Sequence, residues 1–355
     1  MRVATAKAPR RFQSCGLAAG RRRAFAAAGS VTPDYRNLGD ERGVSTPSPA
    51  ERTPRHGGRT VPLRVLAVPA IVAVAAGLAV LVLASRNDPA SPGGAAVDPI
   101  GVSHVHGLGI NPSDDSLIVA THTGSFRIAD PGGDAVRIGG SFQDAMGFTV
   151  AGPDHFLGSG HPDVAGMQSG QPSRLGLIES TDAGATWKNL SLSGEADFHG
   201  LAFAHDEVYG WDSGTGRFMV SANETDWDTR STIDLYGFAV DPTNAEHIVA
   251  AGPDGLVDST DGGRTWNGTE GPPLVAVSWD ANAGLWGADT SGGVWQQEGS
   301  QWDPTGNVGG EPQALLATPD SLYAAAHSRG DVTSIYRSTD GGRDWDLIYS
   351  DGDDD

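Results

Sequence analysis

The chain has 355 residues, is 38% apolar and 19% charged, and carries a formal net charge of −20. Residues 1–64 hold 13 Lys/Arg against 4 Asp/Glu, while the remaining 291 hold 11 against 40. A body this acidic offers no positive face for phosphate and argues against a nucleic-acid partner. The sole cysteine, Cys15, leaves no disulfide framework, so burial must hold the body together.

Residues 1–62 are rich in Arg, Ala, Gly and Pro without a lasting apolar period, the composition of a disordered basic cytoplasmic head. The "RRR" at 21–23 is not followed by an apolar run, which argues against a twin-arginine export signal. Residues 63–85 contain "VLAVPAIVAVAAGLAVLVLA", Val65 to Ala84, 20 residues without a charge. As a helix this run spans about 30 Å, the thickness of a bilayer core. Pro69 and Gly77 are tolerated in such helices. Basic residues crowd its N-terminal side, so the expected arrangement is a single-pass signal anchor in the cell membrane, with the N-terminus cytoplasmic and the body exported. A cleaved signal peptide ending before Ser85 is the alternative and would give a secreted protein; the length of the run favours the anchor. Residues 86–97 read as a linker.

From residue 98 to 355 the chain repeats itself. "STDAGATW" begins at Ser180, "STDGGRTW" at Ser259 and "STDGGRDW" at Ser338, spaced 79 residues apart twice. Short apolar strands beginning at His106, Gly147, His199, Tyr236, Val275 and Gln313 recur at about half that distance. A period near 40 built of short β-rich runs and Gly/Asp turns predicts a β-propeller with about one blade of four strands per repeat. The expected fold is therefore all-β: six four-stranded blades carrying the eight-residue box, a monomeric propeller preceded by one transmembrane helix. In each box Ser180, Ser259 or Ser338 and Asp182, Asp261 or Asp340 can bond the backbone of a tight turn. Trp187, Trp266 or Trp345 then starts the next strand and is large enough to lock neighbouring sheets. Trp227 and Trp302 look like worn copies of the box in the intervening blades.

The box resembles the Asp-box, or bacterial neuraminidase repeat, of sialidase-like propellers, which also occurs in non-enzymes such as sortilin-like receptors and photosystem assembly factors. The stretches "HVHGLGINP", "GSGHPD", "LGLIESTDAGATW" and "GEADFHGLAF" resemble a bacterial group classed as glycosyl hydrolases, the F510_1955 family, across nearly all of residues 100–350. That resemblance implies a glycoside hydrolase acting on envelope or extracellular glycans.

In a blade that runs outwards as a meander, the start of the first strand and the end of the second share one rim. His104, His106 and His199 fall at first-strand starts, with Tyr236 in the matching place, and His122, His161 and His327 end second strands. Residues i and i+2 of a strand share a face, so His104 and His106 can both point inwards. These six histidines, with Arg329 just beyond His327, form a candidate ring at the mouth of the channel. Such a ring suits a divalent transition metal such as Zn or Cu, a polar funnel for a small ligand, glycan or protein segment, or packing between blades; these stay open. His155, His205 and His247 fall on the opposite rim beside Asp154, Asp206 and Glu246 and read as solvated turn residues.

A sialidase needs an arginine triad and a Tyr nucleophile activated by a Glu. The "RIP" motif is absent, and arginines near the mouth are too few for an evident triad. Other glycosidases need only two carboxylates, for which Asp212, Asp289 and Glu195, together with Asp197 and Asp234, are candidates, and Tyr236 is a candidate nucleophile. Histidines outnumber these acids at the rim, which favours a membrane-bound binding or assembly propeller over a hydrolase.

Overall fold

The computed structural model describes residues 101–129, 133–328 and 332–352. The predicted head, anchor and linker lie outside the described residues, as does Arg329. Among the described residues no helix is long and apolar enough to cross a membrane.

The body folds into six four-stranded antiparallel sheets, each drawn from one continuous stretch of chain. Blade 1 is β1 (Val105–Ile110), β2 (Leu117–Thr121), β3 (Gly124–Ile128) and β4 (Val136–Arg137). Blade 2 is β5 (Asp144–Gly152), β6 (His155–His161), β7 (Leu177–Ser180) and β8 (Lys188–Ser191), with a one-turn helix α1 (Val164–Gln168) between β6 and β7. Blade 3 is β9 (Phe198–Ala204), β10 (Glu207–Asp212), β11 (Arg217–Ser221) and β12 (Asp228–Thr232). Blade 4 is β13 (Gly237–Asp241), β14 (Asn244–Gly252), β15 (Gly255–Ser259) and β16 (Asn267–Gly268). Blade 5 is β17 (Leu274–Asp280), β18 (Gly284–Asp289), β19 (Gly293–Glu298) and β20 (Gln301–Asn307). Blade 6 is β21 (Glu311–Ala317), β22 (Leu322–Ser328), β23 (Val332–Ser338) and β24 (Asp346–Ser350). The first strands touch their neighbours around the whole ring, β21 meeting β1 to close it, and all six line a channel of about 980 Å³.

The core is six apolar clusters, one in each cleft between blades. Strand periodicity explains how one strand serves two clefts. In β2, Leu117 and Val119 pack towards blade 6 with Ala325, Ile335 and Ile348, while Ile118 and Ala120 pack towards blade 2 with Phe148 and Phe156. Second strands are therefore buried on both faces, which is why they read as unbroken apolar runs rather than alternating ones. Ile118, Phe156, Phe198 and Phe218 are fully buried, and each such side chain contributes on the order of 1.5–3 kcal/mol.

Five clefts also take a tryptophan from the blade that follows: Trp187 between blades 1 and 2, Trp227 between 2 and 3, Trp266 between 3 and 4, Trp302 between 4 and 5, and Trp345 between 5 and 6. Trp227 and Trp266 donate their indole N–H across the cleft to Ser191 and Ser231, each at 2.9 Å. The boxes hold these rings in place. Ser259 Oγ donates to Asp261 at 2.9 Å and accepts from the Gly263 N–H at 2.8 Å, while Asp261 accepts from the Thr265 N–H and hydroxyl at 2.8 and 2.7 Å. Ser180 and Asp182 repeat this pattern. Ser338 and Asp340 do so with Asp344 in place of the threonine, losing the hydroxyl bond. In blade 3 Asn223 stands in for the Asp and accepts from the N–H groups of Thr225 and Asp226.

Among the described residues no strand is shared between the first and last blades. The ring closes through the Val102–Ile348 cluster, through the Val102 N–H donating to the Tyr349 hydroxyl at 3.4 Å, and through the Val105 N–H donating to Gln313 Oε1 at 2.9 Å.

Candidate metal centre

Sequence register carries the mouth residues to one rim. At the starts of β1 and β5 the residue three before the strand's glycine and the residue just before it are His104 and His106 in blade 1 and Asp144 and Met146 in blade 2; Asp197 and His199 take the same places in blade 3. The glycine lets neighbouring first strands approach: a Cβ on Gly147 would sit 2.5 Å from the Phe198 carbonyl oxygen, and one on Gly200 would sit 2.9 Å from the Phe238 ring. His122 follows the end of β2 and His161 ends β6.

Three imidazoles meet between blades 1 and 2. The ring centroids of His104, His106 and His122 lie 4.9, 5.0 and 4.4 Å apart pairwise, and each offers a ring nitrogen within 4.8 Å of the others. His104 adopts φ +41°, a left-handed conformation that a β-carbon disfavours by about 1–2 kcal/mol. His122 Nδ1 lies 2.8 Å from Asp144 Oδ1. With that nitrogen donating to the carboxylate, Nε2 presents its lone pair, the way a carboxylate orients a metal-bound histidine. His106 Nε2 is buried without a hydrogen-bond partner and stands 3.9 Å from Asp144. Burial, with His122, His104 and His199 close by, pushes the His106 pKa down to about 3. His104 is lowered too, by burial and then by His122 and His327, against the opposing pull of Asp144 and Glu311. His106 is thus neutral at neutral pH, with a nitrogen that has no hydrogen-bond partner among the described residues.

Gln313 braces the far side. With its Oε1 held by the Val105 N–H, its Nε2 lies 3.0 Å from His104 Nδ1 and 3.5 Å from His327 Nδ1.

One blade further on, His161, Asp197 and His199 form a second group. His161 Nε2 and His199 Nε2 lie 3.6 and 3.4 Å from Asp197 Oδ2. His161 Nδ1 sits 2.6 Å from the Ser173 carbonyl oxygen, to which it can only donate. Asp197 is 8% exposed, and its Oδ1 is buried without a partner. Burial pushes its carboxyl up, but the hydrogen bond to His199 and the charges of His199, His161 and Arg174 outweigh this and hold it below its ordinary value.

The other candidates serve the scaffold. Asp212 is fully buried and accepts from the Asp197 N–H, the Thr215 hydroxyl and Arg217 at 3.0, 2.6 and 2.9 Å. Asp289 accepts from the Ser291 N–H and hydroxyl, the Gly293 N–H and the Trp295 indole. Burial pushes both carboxyls up, but these bonds hold both below their ordinary values. Glu195 and Asp234 are exposed, and Tyr236 is 57% exposed on the channel wall. On the opposite rim His155 pairs with Glu179 at 2.9 Å, and His247 bridges Asp241 and Asp258 at 3.1 and 2.8 Å. These two are therefore tied to carboxylates on neighbouring strands rather than simply solvated, because they stand within β6 and β14 and not in the turns; His205 bonds the Asp241 carbonyl.

The residues that sequence reasoning passed over are Asp144 and Gln313. Asp144 was legible as the blade 2 counterpart of His104 and Asp197, three before the strand's glycine. Gln313 carries no such mark, because its role depends on where the ring closes.

No family model matches the chain. Over 92 residues it is 32% identical to the dispase autolysis-inducing protein of Streptomyces mobaraensis, which covers 25% of this chain and 25% of that protein. The chain thus spans about a quarter of the curated relative it matches. A chain of the nidogen/laminin complex superposes with a TM-score of 0.50 at 12% identity, over 66% of this chain and 93% of that one. The GH74 xyloglucanase of Xanthomonas campestris superposes at 0.47 and 16% identity, over 72% of this chain and 46% of that one. The GH74 enzyme of Niastella koreensis gives 0.48 and 20%, over 70% and 38%. At these identities the likeness is one of fold alone.

Proposed function

We propose that this chain is a propeller of the Asp-box, sialidase-like kind that binds a divalent transition-metal ion at its channel mouth, through His104, His106 and His122 with Asp144 orienting His122. The observation that carries this reading is the buried, partnerless Nε2 of His106 facing two further imidazoles. A buried nitrogen left unsatisfied costs about 1–3 kcal/mol, and an ion would remove that cost. The donor set suits Zn or Cu rather than Mg or Ca. Zn–N bonds of about 2.0–2.1 Å would draw the rings inwards from their present spacing.

The sequence supports placing the propeller outside the cell membrane on the helix expected at 63–85. Its role is then binding or assembly, with a small ligand, glycan or protein segment entering the channel. Glycoside hydrolysis, which the family resemblance implies, needs a carboxyl kept protonated at the mouth; the lowered Asp197, Asp212 and Asp289 favour the binding reading. The test is metal analysis of the full chain, purified without chelator and incubated with Zn or Cu, beside His106→Ala and His122→Ala variants. Metal near stoichiometry that the variants lose supports the reading; a metal-free native protein overturns it.

A further inference from the structure

We propose that His161, Asp197 and His199 hold a second divalent transition-metal ion, so that the mouth is a two-metal centre with one site on each side of blade 2. The inference rests on reading the mouth as metal-binding, but its ligands are separate from those of the first site.

The hydrogen-bond bookkeeping points to a cation. Ser173 offers only a carbonyl oxygen to His161 Nδ1, so that nitrogen carries the proton. The other ring nitrogen, Nε2, faces Asp197 Oδ2 at 3.6 Å, too far for a direct hydrogen bond. His199 Nε2 approaches the same oxygen at 3.4 Å. The other carboxylate oxygen is buried and has no partner. A single divalent ion satisfies all of these atoms, and two imidazoles with one carboxylate form a recognised transition-metal set with positions left open. Such positions suit water or an anionic oxygen donor.

The fold makes the two sites neighbours. Asp144 and His161 are register partners across β5 and β6, which places their Cα atoms about 4.5–5.5 Å apart. Asp144 serves the first group and His161 the second. Two members of the second set repeat the first site one blade on: His161 takes the place of His122 at a second-strand end and Asp197 that of Asp144, while His199 stands two blades on from His106, whose place in blade 2 is filled by Met146. The substituted carboxylate makes the second site the harder of the two in ligand character.

The experiment uses the full chain, stripped with chelator, dialysed against Zn and analysed for bound metal. The variants are His161→Ala, Asp197→Asn, His122→Ala and the His122→Ala, His161→Ala pair. His161 and His122 are partly exposed, so their removal spares the core, and circular dichroism verifies the fold of each variant. The expected result is two Zn per chain in the native protein, one in each single variant and none in the pair. One Zn per chain, lost in His122→Ala and kept in His161→Ala and Asp197→Asn, overturns the second site and leaves the first. One Zn lost in every variant means a single shared site and also overturns the proposal. No Zn in the native protein overturns both readings.

Discussion

Asp144 and His161 stand opposite each other at the open end of blade 2, yet they look to different neighbours: Asp144 bonds His122 of blade 1 at 2.8 Å, and His161 faces Asp197 at the start of blade 3 at 3.6 Å. One strand pair thus serves two side-chain groups. The carboxylate's part is orientation, and this can be separated from ligation. Asp144→Asn keeps the size and a carbonyl acceptor but weakens the hold on His122 Nδ1. Loss of such an orienting partner costs about 10–100-fold in metal affinity. Competition titration against a chromogenic Zn chelator should show that loss with stoichiometry unchanged, whereas His122→Ala should lower the stoichiometry itself. Equal affinity in Asp144→Asn and native protein would remove Asp144 from the centre.

The metal-free protein should lose stability as pH falls. In the unfolded chain His106 titrates near its ordinary value of 6.5, while in the fold it titrates near 3. Between these values the unfolded state binds a proton that the folded state refuses, so stability rises with pH across this window. The contribution is complete above about 6.5, declines on acidification and levels off below about 3. A shift of this size corresponds to several kcal/mol at most, at about 1.4 kcal/mol per unit, and the partial exposure of neighbouring His104 and His122 reduces it. His104, His122 and His199 oppose the charged form, and Asp144 favours it. Urea unfolding of chelator-treated protein at pH 7.5 and 5 should show a drop that His106→Gln largely removes. An identical drop in the variant would assign the effect to other groups.

The propeller was legible because its signal is periodic: three boxes at a fixed interval and six apolar strand starts define the blades before any contact is known. Strand direction alone also placed His104, His106, His122, His161 and His199 at the strand ends where the two groups form. What the sequence did not disclose was their division into two groups. His104, His106 and His122 converge because blade 1 supplies all three, whereas His199 pairs with His161 across the cleft between blades 2 and 3. That partition depends on which side of a blade each ring leans to, and the strand period of two does not encode it. Asp212 and Asp289 show the converse. Both are acids at second-strand ends, but their oxygens are consumed by backbone amides, hydroxyls, an arginine and an indole, mostly from the turn and strand that follow, with the Asp197 N–H reaching Asp212 from the preceding strand.

Stability should depend most on the clefts between blades. Phe156 is fully buried between blades 1 and 2, meets the Phe148 ring at a centroid distance of 5.6 Å, and lies beneath Gly184 of the first box. Phe156→Ala should cost about 3–5 kcal/mol, measured as a lowered urea midpoint at unchanged slope. Removing the exposed Met167 of α1 should change the midpoint little. A Phe156→Ala cost below about 1 kcal/mol would mean that the cleft collapses around the missing ring.

Gln313 couples closure of the ring to the mouth. Its Oε1 is the acceptor for the Val105 N–H, and Val105 is 1% exposed. Its Nε2 lies 3.0 Å from His104 Nδ1. Gln313→Leu therefore orphans a buried donor, which costs about 1–3 kcal/mol, and also releases His104 from its brace. Gln313→Glu should separate the two effects. A carboxylate still accepts from Val105, so closure survives, but it places a negative charge beside His104, whose pKa is now held down by burial and by its histidine neighbours. That charge stabilises the imidazolium, so the His104 titration should move up in a proton NMR pH series on metal-free protein, while the urea midpoint at pH 7.5 stays near native. Gln313→Leu should show the reverse, a lowered midpoint without the upward titration shift. If both variants lower the midpoint equally and leave His104 unmoved, Gln313 acts as packing between blades 6 and 1, and the link from closure to the centre is absent.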